Sequence, residues 1–313
     1  MPQRALPEDV LFAGGACATP AGSRIDAGAM PQHTRFLVVV RAGDASLHPG
    51  WTRAPEERDW DLVVSYFGDD PQRFRGAHER RIDDKGQKWP GLHALLTRES
   101  FWRGYDYVWL PDDDLVADQA DISGLFRTTA GLGLALTQPA LSWTSHYSHA
   151  LTVRRPSFSV RMTNFVEIMA PCFERRFLEA CLPTFGENLS GWGLDLLWPR
   201  LLPEGSLQCA IVDDVAVTHT RAVGGPGYDH MRVRGLSPWQ EGEALLRRHG
   251  IPPATRPCML AAIDRQGNRL EGNSATGLAA LRELEGRDWA AFQAARAPEA
   301  GGSITESERD ARR

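Results

Sequence analysis

Residues 105–114 read Tyr-Asp-Tyr-Val-Trp-Leu-Pro-Asp-Asp-Asp, an apolar run that ends in three carboxylates. The residues 108–110 (VWL) are typical of a buried strand. Pro111 has no N–H to donate to a neighbouring strand, so it marks the end of this one. The aspartates at 112–114 therefore occupy the loop that leaves a core strand. Ligands of open α/β sheets bind beside the carboxyl ends of the strands, which makes this loop a candidate binding site.

Three adjacent aspartates repel one another unless a cation or hydrogen-bond donors offset their charge. Carboxylate oxygens are ligands that Mg²⁺ and Mn²⁺ prefer. A solvated acidic turn that caps the next helix is an equally compatible interpretation, because Asp-rich loops are common at turns and N-caps. The spacing alone leaves both interpretations open.

The composition is that of an ordinary soluble globular protein, with 313 residues, of which 42% are hydrophobic and 24% charged. The formal net charge of −5 provides no field that favours nucleic acid or anionic membranes. We expect no transmembrane helix, since no apolar run reaches the length of about 18 residues that a span needs. The N-terminus lacks a signal-peptide pattern, and the five cysteines form no Cys-x-x-Cys pair. These features predict a cytoplasmic protein with reduced thiols.

Strand and helix patterns alternate along the chain, which favours an α/β sheet with parallel strands. Strands are predicted at 35–40, 61–67, 105–110, 134–137 (closed by Pro139) and 209–219, and helices at 91–102, 121–130, 174–185 and 194–202. In the less regular middle of the chain, 151–154 and 165–170 are candidate strands that would line a crevice. The predicted organisation is an N-terminal arm (1–34), a sheet domain (35–225), a helical extension (226–297) with helices at 238–249 and 277–296, and a disordered tail (298–313).

The block Gly191-Trp192-Gly193-Leu194-Asp195 opens a predicted helix. Glycines permit close backbone approach, and an exposed Trp192 offers a flat face to a sugar ring or a base. Asp195 is a candidate general base if it faces a crevice. The structural alternative is a glycine turn with a core tryptophan and an aspartate that the helix dipole favours.

Three further residues are candidates because of their positions. His219 ends the last strong strand and lies at the same sheet edge as the aspartates if the two strands are parallel neighbours, in which case carboxylates and imidazole form a Mn²⁺ set. Glu167, which follows Asn164 within an apolar run, must be paired, ligating or facing a cavity. Lys88 precedes a helix and is a candidate anion site. Each has a structural alternative: a lone structural histidine, a buried ion pair and an exposed lysine.

Several nucleotide and hydrolase motifs do not occur in the sequence. No Gly-x-Gly-x-x-Gly opens a helix after the first strand, and there is no Walker-type loop. The Gly-x-Ser-x-Gly elbow of serine hydrolases is also missing. The sequence therefore argues against a dinucleotide enzyme, a P-loop kinase and a serine hydrolase.

Taken in order, these motifs resemble the plant and bacterial family catalogued as domain of unknown function 707. The resemblance covers roughly 36–225, and its blocks are YDYVWLPDDDL (105–115), AGLGLALTQPAL (130–141), residues 151–154, NFVEIMAP (164–171), LSGWGLD (189–195) and residues 211–219. That family is similar to glycosyltransferases of the GT-A fold. The resemblance implies a Rossmann-like, mixed and mostly parallel sheet flanked by helices.

The resemblance also implies roles for particular residues. Asp112, Asp114 and His219 would hold Mn²⁺ or Mg²⁺, and Asp195 or Glu167 would be the catalytic base. Of the donor- and substrate-binding residues, the resemblance implies Trp192 as an acceptor contact, and the further candidates that we predict are Arg41, Lys88, Asp113 and Asn164. Asp113 is expected to turn away from the metal.

The predicted activity is that of a metal-dependent, inverting, hexosyltransferase-like enzyme. It would move a sugar from a nucleotide-sugar donor to a hydroxyl of a carbohydrate, glycan or glycolipid acceptor. Nucleic acid is not an expected partner. The residues leave a retaining outcome open, and two other classes as well: a nucleotidyltransferase of related fold, and a non-catalytic module that binds carbohydrate or metal.

Overall fold

The computed structural model describes residues 35–76, 80–222, 231, 233 and 235–296. The predicted arm (1–34) and tail (298–313) lie outside these ranges. The strands are β1 (Phe36–Ala42), β2 (Asp61–Tyr66), β3 (Arg80–Asp83), β4 (Tyr107–Trp109), β5 (Leu115–Val116), β6 (Leu136–Leu141), β7 (Phe158–Thr163), β8 (Cys172–Glu174), β9 (Cys209–His219), β10 (Met259–Asp264) and β11 (Arg269–Glu271). The helices are α1 (Lys88–Arg98), α2 (Gln119–Gly131), α3 (Arg175–Cys181), α4 (Leu194–Leu197), α5 (Pro238–Arg248) and α6 (Ala275–Arg296).

The described strands form one mixed sheet in the order β11-β10-β7-β9-β6-β8-β4-β1-β2-β3, with β5 paired to the end of β9. Strands β3, β2, β1, β4, β6, β9 and β10 run in one direction, and β5, β7, β8 and β11 run in the other. The predicted mixed and mostly parallel α/β sheet with flanking helices is therefore confirmed. Its carboxyl edge gathers the ends of β1, β4 and β9.

Helices cover both faces of the sheet. Leu92, Leu95 and Leu96 of α1 pack with residues of α3 and α4 against one face. Ile122 and Phe126 of α2 pack against the other face. Every residue of β1 is buried, as expected for a strand covered on both sides, and this explains why its sequence is a continuous apolar run rather than an alternating one.

Two predicted strands in the middle of the chain are wrong. Residues 165–167 have no regular structure and 168–170 form a turn, while residues 151–154 contain the end of a 3₁₀ turn and a single bridge at Val153. The strand of this region is β7, which includes the fully buried Arg161. The guanidinium Nε of Arg161 lies 2.6 Å from Oδ2 of the equally buried Asp213. The partner that makes the burial of Arg161 possible is 52 residues away, so the local pattern gave no sign of it.

Strand β6 also departs from the prediction, because it continues through Pro139 instead of ending there. The register between β6 and β9 shifts between Pro139 and Ala140. Irregular pairing of this kind is where a sheet tolerates a residue without an N–H.

The predicted helical extension (226–297) contains α5 and α6, but it also contains a hairpin. Strand β10 pairs antiparallel with β7, and β11 pairs with β10. The extension is thus part of the central sheet rather than a purely helical addition. None of the helices in the described ranges combines the length and the apolar character that a membrane span needs.

Candidate functional site

A cleft of about 1950 Å³ opens at the carboxyl edge of the sheet. The loops after β1, β4 and β9 line one side, and α5 with the loop before α4 lines the other. Strands β4 and β9 run in the same direction but are separated by β8 and β6, so they are not the parallel neighbours that the sequence analysis considered. His219 reaches the aspartates because Leu115, just after them, pairs directly with His219.

Asp114 and His219 lie next to each other in this cleft, and only one oxygen of the Asp114 carboxylate contacts the imidazole. Oδ2 of Asp114 lies 3.4 Å from Nε2 of His219. Nδ1 of His219 donates to the carbonyl oxygen of His146 at 3.0 Å, since a carbonyl can only accept, so Nε2 is the ring nitrogen that is free of a proton when His219 is neutral. Oδ1 of Asp114 is buried and has no hydrogen-bond partner among the described residues. The pair therefore presents a carboxylate oxygen and an imidazole nitrogen, a donor set that suits Mn²⁺.

The charges of the pair are coupled. Burial alone raises the pKa of Asp114, but the hydrogen bond and charge of His219, together with the charge of Arg221, bring it below its usual value. Burial lowers the pKa of His219, but the hydrogen bond and charge of Asp114, together with the carbonyl of His146 and the charge of Asp112, bring it above its usual value. Each group thus favours the charged form of the other.

The structure does not bring Asp112 into this pair. Oδ1 of Asp112 accepts a hydrogen bond from Nζ of Lys88 at 2.6 Å. The same Nζ donates to the carbonyl oxygens of Ile168 at 2.7 Å and Met169 at 3.1 Å. An ammonium has three donors, so all those of Lys88 are used and none is left for a phosphate. Burial lowers the pKa of Lys88 and raises that of Asp112.

The predicted set of three metal ligands is accordingly not assembled. Across residues 35–76, 80–222 and the described positions beyond, no three His, Cys, Asp or Glu side chains are grouped so as to hold a metal ion. Asp114 and His219 fit a divalent cation by their donor chemistry and by the unpartnered oxygen of Asp114. Asp112 instead binds the ammonium group of Lys88 and holds it in place.

Asp113 turns toward the backbone of the loop after β1. Its Oδ2 accepts a hydrogen bond from the N–H of Gly43 at 2.8 Å, and its Oδ1 lies 3.6 Å from Nη1 of Arg221. Burial raises the pKa of Asp113 to about 6, although both contacts oppose the shift. Asp113 therefore links the loops after β1, β4 and β9, and it does not face the Asp114–His219 pair.

Arg41, at the end of β1, lines the cleft but is largely occupied by protein contacts. Its Nη1 donates to Oγ of Ser65 at 3.0 Å, and its Nη2 donates to the carbonyl oxygen of Gly86 at 2.6 Å. Its Nε is buried without a partner in the described part of the chain. Arg41 therefore stabilises the loop before α1, and its Nε is the guanidinium donor not used there.

Glu167 and Asp195 are two further carboxyls of the cleft. The N–H of Glu167 donates to Oε1 of Gln138 at 2.6 Å, while Oε2 of Glu167 is buried without a partner among the described groups. Oδ1 of Asp195 accepts from the N–H of Leu196 at 2.8 Å. Burial raises the pKa of Glu167 to about 7, and the charge of Asp195 adds to the shift. Burial also raises the pKa of Asp195 to about 7. Carboxyls with these pKa values suit proton transfer near neutral pH.

The loop before α4 needs its glycines. Gly191 has φ +79°, and a Cβ there would lie 2.1 Å from Cδ1 of Trp89. The side chain of Asn188 accepts from the N–H of Gly191 at 2.8 Å and donates to the carbonyl oxygen of Trp192 at 2.9 Å. This packing directs Trp192 and Asp195 into the cleft.

Asn164 does not line the cleft. Its amide donates to the carbonyl oxygen of Arg256 at 2.9 Å and accepts from the N–H of Cys258 at 2.7 Å, so it fixes the segment that leads into β10. Asp44, which was not among the predicted site residues, follows β1, lines the cleft and accepts a hydrogen bond from the hydroxyl of Tyr66. Its position directly after a core strand is the sequence feature that could have indicated it. Trp239 on α5 also lines the cleft, and no motif pointed to it.

The raised pKa values of Glu167 and Asp195 predict how stability depends on pH. The unfolded chain releases these protons near 4.5 and 3.8, whereas the folded protein keeps them up to about 7. The folded state binds more protons in this interval, so the free energy of unfolding is expected to fall as pH rises from about 4 to about 7. Urea denaturation at each pH measures this free energy. In the double variant Glu167→Gln/Asp195→Asn, we expect the free energy of unfolding to fall over this pH interval by more than about 1 kcal/mol less than it does in the wild type. An unchanged pH slope would contradict the assigned burial of these carboxyls.

The fold is similar to solved structures of two enzymes. TarS (residues 1–349) of S. aureus in complex with UDP-GlcNAc is 11% identical, with a TM-score of 0.43 over 69% of this chain and 72% of that one. Glucosyl-3-phosphoglycerate synthase from Mycobacterium tuberculosis, in complex with Mn²⁺, UDP and glucosyl-3-phosphoglycerate, is 15% identical, with a TM-score of 0.41 over 71% and 82%. At these scores the likeness assigns neither an activity nor a ligand to this chain.

Comparisons at the level of sequence give no family. No family model matches the chain, and no curated protein does. Membership of the domain of unknown function 707 family therefore stays a prediction, as does the cytoplasmic location.

Proposed function

We propose that the protein is a metal-dependent glycosyltransferase of GT-A-like architecture that moves a sugar from a nucleotide-diphosphate donor to a hydroxyl acceptor, with inversion. One observation carries the proposal. A single cleft holds Asp114 and His219, which present an unpartnered carboxylate oxygen and an imidazole nitrogen, together with Glu167 and Asp195, whose pKa values are about 7. A cation site and a proton acceptor within one cleft are what such a transfer requires.

Asp114 and His219 would hold Mn²⁺ or Mg²⁺ beside the donor. Bound there, the ion supplies positive charge that offsets the charge developing on the leaving diphosphate. Lys88 keeps the carboxylate of Asp112 in place, and Asp113 fixes the loop after β1 through the N–H of Gly43. These two hydrogen bonds hold the loops after β1 and β4 in place around this half of the site.

Asp195 is the proposed base, and Glu167 is its neighbour. The charge of Asp195 raises the pKa of Glu167, so an ionised Asp195 favours the protonated form of its neighbour. Asp195 would take the proton of the acceptor hydroxyl as the hydroxyl oxygen attacks the sugar from the face opposite the leaving diphosphate. Attack from that face inverts the configuration, by the same geometry that separates inverting from retaining glycosidases.

Thermal unfolding with a panel of nucleotides tests the proposal. UDP or GDP with Mn²⁺, at about 100 times Kd, is expected to stabilise the fold by about 2.7 kcal/mol and to raise Tm by roughly 5 °C or more. Either component alone should do much less, because Asp114 and His219 supply only part of a coordination shell. A Tm rise with sugar alone would instead favour a carbohydrate-binding module, and a preference for nucleoside triphosphates would favour a nucleotidyltransferase.

A further inference from the structure

Helix α5 lines the cleft with one of its faces. Trp239, Glu243 and Arg247 recur at intervals of four residues, so they lie on one side of the helix, and all three line the cleft. The side chain of Trp239 is 64% exposed, which is unusual for so large an aromatic group. This face lies outside the region 36–225 in which the chain resembles a known family.

The ring of Trp239 lies at an angle to the ring of Trp192, which also lines the cleft. The ring centroids of Trp192 and Trp239 are 6.4 Å apart, and the ring planes meet at 74°. Because the two ring planes are nearly perpendicular, the rings form two walls of a corner into which a small ring-shaped ligand can fit. Next to it, the carboxylate of Glu243 and the guanidinium of Arg247 lie 3.6 Å apart on the exposed face of the helix.

The corner is rigidly connected to the loop that carries Asp195. The carboxylate of Glu241 accepts hydrogen bonds from the N–H of Ser190 at 2.9 Å and of Leu189 at 3.3 Å. A Cβ on Gly242 would lie 3.2 Å from Cβ of Trp192, so the helix and the loop are in close backbone contact. This packing fixes the position of Trp239 relative to Asp195.

We propose that α5 carries the acceptor subsite and that the acceptor group it takes is an uncharged pyranose ring. A pyranose has an apolar C–H face, which suits an aromatic ring, and hydroxyls at its edge, which suit a neighbouring carboxylate and guanidinium. The opposite charges of Glu243 and Arg247 offset each other on this face of the helix, which favours an uncharged acceptor there. The inference rests on the proposed glycosyl transfer, and it assigns Trp239 as the residue that selects a carbohydrate acceptor.

Binding of simple glycosides without any nucleotide tests this subsite. The probes are the methyl α- and β-glycosides of glucose, galactose, mannose and N-acetylglucosamine, titrated by saturation-transfer NMR. We expect saturable binding of at least one glycoside, a loss of about tenfold or more in affinity for Trp239→Ala, and a much smaller loss for Trp239→Phe. The matched control is Leu132→Ala, an exposed apolar residue that does not line the cleft, which should bind as the wild type does.

The outcomes distinguish the subsite from the enzyme. Absence of binding for all eight glycosides, or equal binding by the wild type and Trp239→Ala, would overturn the acceptor subsite. Stabilisation of Trp239→Ala by UDP or GDP with Mn²⁺, to the same extent as the wild type, shows that the variant is folded and that its loss is confined to the acceptor. Glycoside binding that depends on Trp239 in a protein without any nucleotide response would uphold the subsite and refute the glycosyltransferase.

Discussion

Asp114→Asn is expected to remove Mn²⁺-dependent donor turnover, with a loss of at least about 100-fold. The physical reason is the buried Oδ1 of Asp114, which has no partner among the described residues, together with the contact of Oδ2 with His219. An asparagine has nearly the same shape but no charge, and its NH₂ group repels a cation. Direct titration with Mn²⁺, followed by electron paramagnetic resonance, should show the corresponding loss of affinity.

Asp112→Asn is the matched control for this variant. Because Asp112 is bonded to Lys88 rather than to the Asp114–His219 pair, its replacement should reduce Mn²⁺ affinity far less than Asp114→Asn does. It should instead lower stability by about 1–3 kcal/mol, since the buried ammonium of Lys88 loses its charged acceptor. Equal losses of Mn²⁺ affinity in the two variants would show that Asp112 is a ligand after all and that its contact with Lys88 breaks when the metal binds.

Asp195→Asn is expected to lower kcat by about 10²–10⁴-fold while donor affinity stays near the wild-type value. Asparagine keeps the acceptor oxygen that receives the N–H of Leu196, so the start of α4 should survive. What it loses is the ability to accept a proton, and the loss should therefore fall on the chemical step. Steady-state kinetics with a separate measurement of donor binding resolves the two effects.

Glu167→Gln separates the two candidate bases. If Asp195 is the base, Glu167→Gln should reduce kcat by much less than Asp195→Asn does. A larger loss in Glu167→Gln would transfer the role of base to Glu167. If Asp195→Asn weakened donor binding as much as turnover, Asp195 would be a structural residue of the loop before α4.

The strand that precedes Asp112 and the strand that ends at His219 were predictable from sequence, because each is a strong apolar run that closes on polar groups. Their meeting at one edge followed from strand direction. The order of the strands in the sheet did not follow, since Arg161 interrupts the apolar pattern of β7 and only the distant Asp213 makes the burial of Arg161 favourable. Local patterns do not reveal such partners.

The individual roles at the site were less predictable than its location. Asp112 and Lys88 were each plausible ligands for something outside the protein, yet in the structure they bond to each other across 24 positions of sequence. Trp239 lies on an amphipathic helix without any motif, and only the packing of α5 on the loop at 189–193 brings it to the cleft. Contacts of this kind depend on tertiary structure, so the spacing of residues along the sequence does not predict them.

The central claim is that the cleft transfers a sugar with release of a nucleoside diphosphate. The most direct measurement is to incubate the protein with Mn²⁺, a panel of UDP- and GDP-sugars and a methyl glycoside, and to identify the products by mass spectrometry. We expect a nucleoside diphosphate and a glycosylated acceptor in equal amounts, and neither product with Asp114→Asn. Release of pyrophosphate from a nucleoside triphosphate, or no consumption of any sugar donor by a protein that binds UDP or GDP with Mn²⁺, would contradict the claim.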